Sequence, residues 1–192
     1  MQPIRREEVL PIGEYEALRP HFRGRVIEAK RSRRASIADD MSIVFENRDT
    51  VLLQIQEMLR TERITQESGI LHEIETYNDL IPKDGELSAT LFIEVSDPVK
   101  REATLVELNG LHEKISIEID GKLERGVSAE RTVEGYARTT AVQYLKFPLS
   151  EASRDALRKG GAAVAIVIDH PKRSLRAVLP PAVTKSIAED LG

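Results

Sequence analysis

An α+β fold, with helices mainly from the N-terminal half packed on a largely antiparallel sheet, follows from three features of the sequence. Apolar residues recur at helical spacing through the first half of the chain. From about Ala89 the dominant period is two. The second half is also punctuated by turn signals, Asp120-Gly121 and His170-Pro171, that suit hairpins.

The elements can be placed in order. After a polar lead, residues 1–14, the spacing of Leu18, Phe22, Val26 and Ile27 predicts a helix over Tyr15 to Arg34. Pro20 is expected to divide it, because proline lacks the donor an interior helical position uses. Ser42 to Asn47 reads as a strand. Helices follow over Asp49 to Glu62 and Gln66 to Leu80, the second stopped by Pro82 and Gly85. Ala89 to Val95 is a strand, and Asp97-Pro98 opens a helix as N-cap and first-turn proline, ending near Asn109-Gly110. Lys114 to Glu130 reads as a hairpin about Asp120-Gly121, which supplies the positive φ angles of a type I′ turn. Thr139 to Phe147 is a strand, Ser150 to Gly161 a helix closed by glycine, and Ala162 to Ile168 a strand buried on both faces. A strand after Pro171 and a helix after Pro180-Pro181 complete the chain.

Composition narrows the function. The 192 residues make one domain that needs no disulfide or metal to hold it together, and there is no cysteine. Thiolate catalysis and Cys-ligated zinc or iron–sulfur clusters are thereby excluded. A net charge of −4 argues against nucleic acid as the main partner. No apolar run reaches the roughly 20 residues of a membrane span, so no membrane insertion is expected, and the N-terminus has acids and prolines where a signal peptide needs an apolar core. A cytoplasmic location is the expectation.

The densest mixed chemistry is FENRDTVLLQIQEMLR, Phe45 to Arg60. On a helical count Val51, Leu52, Ile55, Met58 and Leu59 share one face, with Gln54 and Gln56 at its borders. Glu57 and Arg60 lie opposite at i,i+3 spacing, where they can pair. Leu53 falls on the polar side and points to a second contact surface, another layer or a second copy of the chain. Glu46, Asn47, Arg48 and Asp49 stand where strand gives way to helix, a place with free N–H groups and positive potential. They form a cap or, with Gln56, a contact for a polar ligand or partner.

Other clusters compete with bland explanations. His72, Glu75, Thr76 and Asp79 share a helical face and are candidate metal ligands, but the face is the solvated one, with Ile70, Leu71, Ile74, Tyr77 and Ile81 opposite. HExxH is absent, and so is the repeated ExxH of a helical di-iron site. No metal or cofactor is expected. Asp169, His170 and Ser174 flank a turn that Pro171 explains by itself. Arg23, Arg25, Lys30, Arg31, Arg33 and Arg34, preceded by Arg19, make a basic stretch that suits phosphate or a solvated helix end, without the aromatic platform of a single-strand binder.

FENRDTVLLQIQEMLRTERI, HEIETYNDLIP, TTAVQYLKF and IDHP resemble, over nearly the whole chain, a bacterial family known as a domain of unknown function. The resemblance implies no reaction. It implies a context, genes beside rubrerythrin and an iron–sulfur oxidoreductase of the heterodisulfide-reductase type, and so a non-catalytic accessory or interaction protein of a redox-stress system. The resembling segment often carries histidine where this chain has Gln143, which speaks against a ligand or general-base role at that position. Two alternatives stand beside this reading: a small-molecule or metal-dependent enzyme with its site at the start of the Asp49 helix, and a nucleotide or nucleic-acid binder through Arg23 to Arg34.

Overall fold

The computed structural model describes residues 1–128 and 138–191. In chain order its elements are α1 (Ile12–Arg31), β1 (Arg34–Ala38), β2 (Met41–Phe45), α2 (Arg48–Thr61), α3 (Glu67–Asn78), β3 (Glu86–Ile93), α4 (Pro98–Glu107), β4 (Ile115–Ile119), β5 (Lys122–Arg125), β6 (Val127–Ser128), β7 (Val142–Pro148), α5 (Glu151–Lys159), β8 (Val164–His170), β9 (Arg173–Val178) and α6 (Pro181–Glu189). The α+β class with antiparallel pairing stands, distributed over two sheets of strand order β1-β2-β3-β7-β6 and β5-β4-β8-β9.

The period of two explains the layering. On β3, Leu87, Ala89, Leu91 and Ile93 join an apolar cluster shared with Ile115, Ile117 and Ile119 of β4 and Val164, Ile166 and Ile168 of β8. Leu105 of α4, Leu157 of α5 and Val183 and Ile187 of α6 complete that cluster. The alternate residues Ser88 and Thr90 face the other way, beside Glu46. A second core, built from Val51, Ile55 and Leu59 of α2 and Ile70, Ile74 and Tyr77 of α3, covers that side, with partly buried Tyr144 of β7 against it.

The polar lead belongs to this second core. Ile4 and Val9 are buried in it. Two side-chain amides hold the lead by backbone pairs, as a neighbouring strand would. Asn78 accepts from Ile4 N–H at 2.8 Å and donates to Ile4 C=O at 2.9 Å. Gln56 accepts from Leu10 N–H at 2.8 Å and donates to its carbonyl at 3.2 Å.

Several local expectations need correction. Pro20 does not divide the first helix, which runs unbroken from Ile12 to Arg31. Arg34 leaves the helix to open β1, an edge strand whose Ala35 and Ile37 point into the core between exposed Arg34 and Ser36. A period of two over five residues was masked there by the preceding basic run. On α2, Leu53 is buried, in keeping with a second contact surface, and so is Gln56, while Leu52 and Met58 are only partly buried. Glu57 and Arg60 do not pair with each other; each bonds to α1 instead.

The β4–β5 hairpin turns at Asp120 and Gly121, φ +47° and +82°, as a type I′ turn requires. At Gly126 the chain leaves one sheet for the other, β6 pairing with β7. A Cβ on Gly126 would stand 2.9 Å from the Ile115 carbonyl oxygen and 3.0 Å from the Phe147 ring, so only glycine makes this crossing without displacing its neighbours. The remainder of the expected hairpin, residues 129 and 130, lies outside the described residues.

Candidate functional site

The mouth of α2 is closed by its own neighbours. Asn47 caps the helix, its side chain accepting from Thr50 N–H at 3.0 Å while its own N–H donates to Thr50 Oγ1 at 2.9 Å. Glu46, 2% exposed, turns inward. Its carboxylate accepts from Thr90 Oγ1 at 2.6 Å, from Gln54 Nε2 at 3.1 Å and from the Thr50 hydroxyl. Three neutral donors around a buried carboxylate lower the cost of desolvating it, and no cation among the described residues takes part. Arg48 bonds to the Glu8 carboxylate and to the Gln2 carbonyl, the latter at 3.2 Å. That guanidinium holds the Glu8 carboxyl below the usual range. Asp49 alone is exposed.

Gln56, Glu57 and Arg60 do not converge on this mouth. Gln56 holds Leu10, while Glu57 and Arg60 face α1. Glu57 receives Arg19 at 2.7 and 2.9 Å and the Tyr15 hydroxyl at 2.6 Å; Arg60 donates to Glu16 at 2.6 Å. Arg19 foremost, against the opposing effect of burial, brings Glu57 down to about 2, and burial together with Glu57 pushes the Tyr15 phenol up. A carboxyl lowered in the fold stabilises at pH values above its unfolded pKa and loses that contribution as pH falls through the folded one. The docking of α1 on α2 should therefore weaken between pH 4.5 and about 2, by on the order of 1–2 kcal/mol after solvent screening. Tyr15 fluorescence or amide exchange in α1 followed over that range is the measurement. Glu57→Gln should flatten the response.

The basic stretch is spent piecemeal. Arg33 is buried against Asp190, with contacts of 2.7 and 2.5 Å. Arg34 bonds Glu94 at 2.5 Å and Ser42 at 3.0 Å, Arg31 meets Glu28 at 2.9 Å, and Arg25 lies over the Phe22 ring at 5.3 Å. Arg23 is exposed and Lys30 half-buried, so these residues form no continuous cationic face.

His72 and Glu75 on α3 and Asp79 just past its end are exposed, and among the described residues no three His, Asp or Glu side chains are grouped so as to hold a metal. His170 is buried: its Nε2 meets the Asn109 carbonyl at 3.0 Å, and its Nδ1 accepts from Lys172 N–H at 3.2 Å. With Nδ1 accepting, Nε2 is the ring nitrogen that donates, to the Asn109 carbonyl. Asp169 and Ser174, paired across β8 and β9, both face solvent. Gln143 is 1% exposed, and its amide nitrogen donates to Thr139 and Thr140.

A broad concavity lies elsewhere in the fold. A groove of about 980 Å³ runs between α5 and α6 at one end of β8 and β9, floored by Leu157, Val164 and Leu179 and walled by Ala162, Val178 and Pro181. A polar hollow of about 510 Å³ lies beside it, with Asp120, Asp155 and Lys159 in its lining. Gly160 to Ala162 border both. The only advance sign was Gly160-Gly161 itself, which reads as a simple helix stop.

Comparison with known proteins adds kinship without chemistry. A family model described as Protein of unknown function (DUF3501) matches residues 3–191. A crystal structure from Burkholderia pseudomallei K96243, described as a novel protein of unknown function, is 32% identical over 100% of both chains, with a TM-score of 0.92. No curated protein matches. Among the described residues no helix is long and apolar enough to cross a membrane.

Proposed function

The chain belongs to the family described as Protein of unknown function (DUF3501), and from that membership we propose that it is a non-catalytic accessory protein that contacts rubrerythrin or an iron–sulfur oxidoreductase in a redox-stress system. The observation that supports this reading is the closed mouth of α2. Its capping amide, buried carboxylate and arginine, the groups best suited to acid–base or electrostatic work, are bonded to Thr50, Thr90, Gln54 and Glu8. A catalytic constellation keeps its reactive groups aimed at a space a substrate can enter. Here they serve to join β2, α2 and the N-terminal lead. The choice of partners rests on the gene neighbourhood that the family resemblance implies.

Purified protein mixed with rubrerythrin and with the iron–sulfur oxidoreductase of the same genome is the test. A complex with at least one of them should elute ahead of its components at low salt. If neither binds at concentrations of tens of micromolar, the accessory reading falls.

A further inference from the structure

We propose that α4 carries a self-association surface, on which two copies of the chain pair antiparallel about a two-fold axis. The helix has two apolar stripes where a surface helix needs one. Leu105 and, at the C-terminal cap, Leu108 are buried on the inner side. At about 100° per residue, Val99, Ala103 and Val106 gather within about 60° of one another on the outer side. Val99 and Val106 are 80% and 51% exposed, and Ala103 is open to solvent as well. Self-pairing needs no second protein, so it holds or fails apart from the accessory reading.

The charges beside the outer stripe fit a second copy of the same helix. Lys100 and Glu107 lie along one flank of it, near opposite ends. A two-fold axis that turns the helix end for end leaves each flank facing its own counterpart. Lys100 of one copy then meets Glu107 of the other, and the pair occurs twice. Among the described residues neither side chain has a hydrogen-bond or ion-pair partner; Glu107 feels Arg173, which is itself held by Asp40 at 2.8 and 3.0 Å. Their order also runs against the helix dipole, which favours acids in the first turn and bases in the last. α4 has no acid in its first turn and no base in its last, whereas α1, α2 and α5 have both. The arrangement gains the helix nothing by itself and finds its complement in a second copy.

On the other flank Glu102 would face its own counterpart near the axis. Arg138 holds that carboxylate at 3.2 Å, so the two acids meet already neutralised. Ala103, at the centre, has no side chain beyond Cβ to keep the two backbones apart. A helix of 10 residues offers on the order of a few hundred Å², well under the roughly 800 Å² per partner of a standard interface. The dimer is therefore weak, with a Kd on the order of 100 μM.

Sedimentation equilibrium of the full-length protein at low salt, from about 10 μM to about 1 mM, should show a monomer–dimer equilibrium. Ala103→Glu places a long charged side chain at the crossing while keeping helix propensity, and should leave a monomer throughout. Lys100→Glu and Glu107→Lys should each weaken the dimer about tenfold, since each sets like charges against one another at two symmetric places. Both exchanges move charge in the direction the dipole favours, so the fold is not at risk. The decisive sample is an equal mixture of the two variants. Its mixed dimer has opposite charges at both places, and association should return to the strength of the parent. A monomer at every concentration overturns the proposal, and so does a dimer that the charge exchanges leave unchanged or that mixing fails to restore. A monomer that binds rubrerythrin of the same genome, with the complex lost in Ala103→Glu, assigns the face to that partner and overturns self-pairing as well.

Discussion

Asp190→Ala is expected to destabilise the protein by about 3–5 kcal/mol, the largest effect of any single substitution considered. The side chains of Arg33 and Asp190 are 5% and 8% exposed, so removing the acid leaves a guanidinium shut away from water with nothing to balance it. The comparison with Asp190→Asn separates charge from hydrogen bonding. Burial raises the Asp190 carboxyl to about 6 against the pull of Arg33, so the negative charge taken alone costs the fold, and what the carboxylate contributes is a partner for the buried guanidinium. Asparagine retains an acceptor for Arg33 and should lose clearly less than alanine. Replacing both partners, Arg33→Met with Asp190→Leu, should recover most of the loss, since an apolar pair avoids the desolvation cost altogether. Urea unfolding of the four proteins gives the ordering directly. An Asp190→Ala variant within 1 kcal/mol of the parent would show that the pair is solvated.

Glu46→Leu is expected to cost about 2–4 kcal/mol. The Thr90 hydroxyl, 2% exposed, loses its acceptor, as does the Gln54 amide, and each buried donor left unpaired costs about 1–3 kcal/mol. Thr50 is partly spared, because its hydroxyl can turn to the Asn47 carbonyl at 3.0 Å. Glu46→Gln keeps one acceptor oxygen and should cost roughly half as much. Urea midpoints, with amide exchange in the first turn of α2, provide the readout. A stable Glu46→Leu protein would mean that the carboxylate is not needed to join β2 to α2, and the accessory reading would lose its main support.

What the sequence disclosed was local. Asn47 as a cap, Asp97-Pro98 as a helix start and Asp120-Gly121 as a turn are each decided by residues within four positions of one another, and the structure has them all. What it concealed was long-range. Glu57 and Arg60 pair across helices with Arg19 and Glu16, a preference that i,i+3 spacing cannot reveal. On the helical count Leu53 calls for a second contact surface and Gln56 stands at a border, because the count by itself leaves α2 covered on one side. The N-terminal lead, anchored by Gln56, and the sheet bury it on more than one. β1 failed for a related reason, since Ala35 and Ile37 become a strand face only when β2 is beside them. The groove depends on two helices and two strand ends at once, and no single segment announces it.

The amide grip on the N-terminal lead has a consequence for synthesis. Leu10 and Ile4 acquire their backbone partners only after chain 46 and 74 positions further along has followed. Until α2 and α3 are both out, Ile4 and Val9 have no core to enter, and the lead waits as an exposed, partly apolar tail. Residues 1–10 are thus made before α2 and α3 but placed only after them.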